Sequence, residues 1–108
     1  MLTVRIMNEF LHGPVWILDA DGMPMAPGAL PLVEEDPAIQ TLDGQAGVLF
    51  DSYYEFDGEG TCHFDEGRQK EDKERMLGLV AMIVSRLDQI NDGTFVVDDL
   101  ETPYLRKL

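Results

Sequence analysis

Residues 35–58, EDPAIQTLDGQAGVLFDSYYEFDG, decide how this chain folds, because they read either as one long helix or as a helix broken by a strand. Ile39, Leu42, Ala46, Leu49, Tyr53 and Phe56 recur at intervals of 3, 4, 3, 4 and 3, which lays them along one face of an α-helix. Asp36 followed by Pro37 is a start signal: the carboxylate accepts a free first-turn N–H, and proline has no N–H to lose. Gly44 and Gly47 oppose the helix, each at about 1 kcal/mol relative to alanine. The helical reading spans 37–57 and turns Leu42, Leu49 and Phe56 inward. The competing reading breaks near Asp43-Gly44 and makes GVLF (47–50) a strand.

Upstream, TVRIM and PVWIL are β-branched and apolar, and Gly13-Pro14 punctuates the segment between them. They predict a hairpin with strands near 2–8 and 14–19. The unbroken run Val15 to Leu18 suits a strand covered on both faces, so the second strand is expected to be central. Asp21-Gly22 and prolines 24, 27 and 31 then predict a surface loop. Downstream, TCHF (61–64) reads as a short edge strand. Met76, Leu79, Val80, Ile83, Leu87 and Ile90 share one helical face, with acids early and Asn91-Asp92-Gly93 at the stop. TFVV (94–97) returns as a strand, and residues 98–108 form a polar tail in which Leu100, Tyr104 and Leu105 can dock. The expected fold is one α+β domain over 1–108: a small antiparallel sheet, made of the N-terminal hairpin and the C-terminal strand, packed against two helices.

The 108 residues carry a net charge of -13, and its distribution is uneven. Residues 34–66 hold ten acids and no base, whereas residues 67–108 hold seven bases against eight acids. Nucleic-acid binding needs Lys and Arg free to neutralise phosphates, and every basic stretch here is interleaved with acids. Anionic membranes are unfavourable for the same reason. A single cysteine rules out an internal disulfide, and no segment approaches 18 apolar residues. MLTVRIMNEF lacks the make-up of a signal peptide, so a cytoplasmic protein is expected. The natural complement of the acidic middle is a basic protein, although the same charge would also serve solubility.

Side-chain chemistry concentrates in YYEFDGEGTCHFDEG (53–67), which holds the sole cysteine and one of two histidines. Neither Asp19 nor Asp57 begins a calcium-loop pattern, and Cys62-His63 lack the second ligand pair of a zinc site, so no metal and no cofactor is expected. Neighbours on a strand point to opposite faces, which is poor geometry for a Cys62 nucleophile and a His63 base. No catalytic residue is assigned, and the segment reads as a recognition surface. On the helical reading Asp51, Tyr54 and Glu55 lie outward one turn apart, where the like charges repel until a cation docks between them. Tyr54 is then the contact anchor, and Asp57, Glu59, Asp65 and Glu66 extend the field.

Three features together, VRIMNEFLHGPVWILDADG (4–22), the acidic middle, and FDEGRQKEDKERMLGLVAMIVSRL (64–87) followed by DGTFVVDD (92–99), resemble the small acidic immunity proteins that bacteria pair with secreted toxins, such as those of contact-dependent inhibition. The resemblance implies tight neutralising contact with one cognate toxin, often over its active site. The expected function is therefore occlusion of a basic partner, a nuclease toxin foremost. The alternatives are a nucleic-acid-mimicking inhibitor of a nuclease complex and a small enzyme using Cys62 and His63.

Overall fold

The computed structural model describes all 108 residues and has an α+β architecture. Strands β1 (Leu2–Ile6), β2 (Val15–Leu18) and β5 (Phe95–Asp99) form one sheet in the order β2-β1-β5. The first strand is central, so the apolar run of β2 marks an edge. Both faces of that edge are nevertheless covered: Val15 and Ile17 pack against the core, while the Trp16 indole N–H donates to the Met7 carbonyl at 2.8 Å and its ring stacks on His12. β1 pairs antiparallel with β2 but parallel with β5, Leu2 opposite Phe95 through Ile6 opposite Asp99, so the sheet is mixed. On its outer face Arg5 donates from Nε to Asp98 at 3.1 Å.

The inner face carries Val4 and Ile6 and is covered by two long helices, α2 (Pro37–Asp51) and α4 (Lys73–Ile90). Their stripes meet in one core: Ile39, Leu42, Ala46 and Leu49 from α2, and Met76, Val80, Ile83 and Leu87 from α4. α2 begins as its sequence directs. Asp36 accepts the Ile39 N–H at 3.0 Å, and the same carboxylate receives Arg86 of α4 through Nη2 at 2.6 Å and Nε. That guanidinium, foremost, holds the Asp36 carboxyl below the usual aspartate range. The helix passes through both glycines, because Gly47 is buried where the backbone of Gly13 approaches it and the burial of the α2 stripe outweighs propensity.

Three short helices complete the chain: α1 (Pro31–Glu34), α3 (Glu66–Glu71) and α5 (Glu101–Arg106). α3 precedes α4, with a break at Asp72, where a single helix was expected. The C-terminal segment is a docked helix: Leu105 is buried, and the buried Glu101 accepts the Asn8 N–H at 2.9 Å. Leu100 and Tyr104 stay about half exposed. No helix is long and apolar enough to cross a membrane.

Candidate functional site

α2 does not reach residue 57. Ser52 ends it by donating its hydroxyl to the Leu49 carbonyl, Tyr53 turns inward to full burial, and its carbonyl accepts the Asp65 N–H at 2.7 Å. The chain then forms a hairpin of β3 (Tyr54–Phe56) and β4 (Cys62–Phe64), joined by a five-residue turn. The apolar spacing misleads here because intervals of 3 or 4 continue by coincidence through Tyr53 and Phe56. The true signal is Asp57-Gly58 with Gly60 at φ 84°, where Asp57 Oδ1 accepts the N–H groups of Glu59 and Thr61, each at 2.9 Å. These backbone donors, Thr61 first, hold the Asp57 carboxyl low.

Strand alternation assigns new roles to the expected site residues. Tyr54, Phe56, Cys62 and Phe64 share one hairpin face, and Glu55 stands opposite His63 on the other. Tyr54 is no outward anchor: its ring lies 4.3 Å from Phe10, 5.1 Å from Phe64 and 5.7 Å from Phe50, centroid to centroid. Phe56, expected inside, is 66% exposed, because the hairpin face outruns the core after Tyr54. Asp51, Tyr54 and Glu55 therefore share no helical face. Asp51 accepts the Leu11 N–H at 3.0 Å, and Asp65 caps α3 by accepting the Arg68 N–H at 3.0 Å. Glu55, Glu59 and Glu66 are exposed and receive no hydrogen bond from the protein. Cys62 is exposed, and His63 Nε2 lies 3.9 Å from Asp57 Oδ2. No group of three or more His, Cys, Asp or Glu side chains is placed to share a metal ion.

Beside the hairpin lies a segment that the sequence reading left without a role. Phe10 packs on Tyr54 and reaches Phe56 with centroids 6.1 Å apart, and the next residue, Leu11, is 78% exposed with φ 62°. A left-handed leucine costs about 1–2 kcal/mol, and something must hold it. The restraint comes from α2. Asp43 accepts the Val15 N–H at 2.9 Å, Gly47 admits Gly13, and Asp51 takes Leu11; these positions are four residues apart, so one helix face straps down the whole β1–β2 connection. Burial, foremost, raises the Asp43 carboxyl above its ordinary value. The outcome is an exposed apolar Phe56 against the Phe10 ring, an exposed Leu11 next to Phe10 in the chain, and unbonded Glu55 and Glu59 carboxylates on the same hairpin, Glu55 on the face opposite Phe56.

No protein-family profile, curated protein or solved structure matches this chain.

Proposed function

We propose that this chain is an acidic binding protein that neutralises a basic partner by covering its functional surface, as an immunity protein does for a bacterial toxin. A nuclease toxin suits the charge best, since its own substrate groove must be basic. The observation that carries this reading is the exposure of Phe56 and Leu11, linked through the Phe10 ring, on a hairpin whose Glu55 and Glu59 bond to nothing in the protein. Stable interfaces place apolar anchors at the centre and polar groups around them, and complementary charge speeds the encounter. Tyr54 serves by fixing the strand that presents Phe56. Glu55 and Glu59 meet the partner's cations, with Glu66 extending the field.

The test uses Phe56→Ser combined with Leu11→Asn, the asparagine being chosen because it tolerates a left-handed backbone. The parent chain should bind a basic protein from its own cell and abolish that protein's activity at a one-to-one ratio. The double variant, folded by circular dichroism, should bind roughly 30-fold more weakly, as loss of an interface anchor worth about 2 kcal/mol implies. Association of the parent should slow as salt rises from about 0.05 to 0.5 M. Unchanged affinity of the double variant, or an association rate indifferent to salt, would overturn the proposal.

A further inference from the structure

A concave site adjoins the strapped connection at His12 and Val15. It is a cleft of about 320 Å³ between β2, the 24–27 segment, α1 and the first half of α2. Ile17 and Met25 contribute apolar walls, and Trp16, His12, Gln40 and Asp43 also line it. The hydrogen-bond inventory of its polar groups is one-sided. The Gln40 amide donates one N–H to the Glu34 carbonyl at 2.9 Å, which leaves Oε1 and the second N–H unpaired. Asp43 spends Oδ1 on Val15 and nothing donates to Oδ2. His12 Nδ1 lies against the Gly13 carbonyl, which can only accept. In the neutral ring the proton therefore sits on Nδ1, and Nε2 is a bare acceptor. The indole N–H of Trp16 is taken by Met7. No Lys or Arg lines the cleft.

A cleft that offers three unpaired acceptors against one spare amide N–H, and has apolar walls, suits a ligand with several N–H groups on an apolar stem. Guanidinium on its three methylenes has that form: five donors in a planar fork that keeps its charge. We propose that this cleft receives an arginine side chain of the partner protein, with Asp43 Oδ2 as counter-charge and Gln40 Oε1 and His12 Nε2 as further acceptors. The proposal rests on the binding function above and adds a second contact. Its position fits, because His12 directly follows Leu11, so a partner seated on Leu11 passes the mouth of the cleft. The arriving charge would also stabilise an Asp43 carboxylate that burial otherwise disfavours.

Trp16 is the only tryptophan, so its emission reports this cleft alone. Purified protein is titrated with acetyl-arginine amide, acetyl-citrulline amide and agmatine. The arginine amide should give a saturable change with half-saturation of roughly 1 mM, and Asp43→Asn and Gln40→Ala should each weaken it by about tenfold. Asparagine keeps an oxygen for the Val15 N–H. Gln40 is exposed, so its variant carries the test if Asp43→Asn loses the native circular dichroism. The citrulline amide has the same outline without the charge and should leave the emission unchanged. No saturable change up to about 50 mM, or an equal response to the citrulline amide, overturns the proposal. Agmatine binding at least about tenfold tighter than the blocked arginine would overturn the partner as source in favour of a free guanidino metabolite. The titration needs no partner, so a null result here leaves the hairpin experiment standing, and the converse holds too.

Discussion

The five aspartates and five glutamates of residues 34–66 look alike in a count of charge, and the structure uses them in opposite ways. Asp36, Asp43, Asp51, Asp57 and Asp65 each accept at least one backbone N–H. Among the glutamates only Glu34 does, holding Gly28 and Leu30. The helix spends its aspartates on its own start and on the β1–β2 connection, and in the hairpin Asp57 builds the turn while Glu55 and Glu59 face outward unspent. One methylene gives aspartate the reach of an N–H two or three residues on, while glutamate must lose more rotamer freedom to do the same. Six of the ten carboxylates that suggest a binding face are thus fold-building. The share left to attract a partner sits on glutamates.

Substitutions can break this division, the largest effect first. Asp36→Ala removes a helix cap and the acceptor of Arg86, and should cost about 1–2 kcal/mol in urea unfolding at neutral pH, the cap being the larger part. Because the Asp36 carboxyl is held below its ordinary 3.8, the stability it supplies is present above that pH and is lost as pH falls through the lowered value. The gap between parent and variant should therefore close in strong acid. Asp51→Ala, on a more exposed bond, should cost about 0.5–1 kcal/mol and speed exchange of the Leu11 amide in NMR. Glu55→Gln, Glu59→Gln and Glu66→Gln together should leave stability within about 0.5 kcal/mol while slowing association with a basic partner and flattening its salt dependence. A triple variant that unfolds at lower urea than Asp36→Ala would sink the division.

Local physics was legible in the sequence. The Asp36-Pro37 start, the α2 stripe as far as Leu49 and the α4 face from Met76 to Leu87 follow from spacing and caps that involve near neighbours. What escaped depended on distant partners. Nothing in VWIL says which side of β1 it takes, and nothing in TFVV says that it pairs parallel. Tyr54 and Phe56 exchanged roles because an α-helix and a hairpin both satisfy the same intervals, and only Asp57-Gly58 distinguishes them. Leu11 reads as an ordinary turn residue until the carboxylate eight residues beyond Asp43 is seen to hold it.

The parallel pairing of β1 with β5 has a kinetic consequence. Leu2 meets Phe95, and both Arg5 with Asp98 and Asn8 with Glu101 close across 93 residues, whereas Ile6 meets Val15 after nine. A roughly tenfold longer loop costs about 2 kcal/mol more in closure entropy, so the β1–β2 hairpin and the α2–α4 pair assemble before the third strand is seated. Until then the open flank of β1 offers unpaired backbone groups and the apolar side chains Val4 and Ile6 to any strand nearby. Folding at high protein concentration should therefore aggregate through that flank, and adding the segment 94–106 as a separate peptide should suppress it by occupying the same edge.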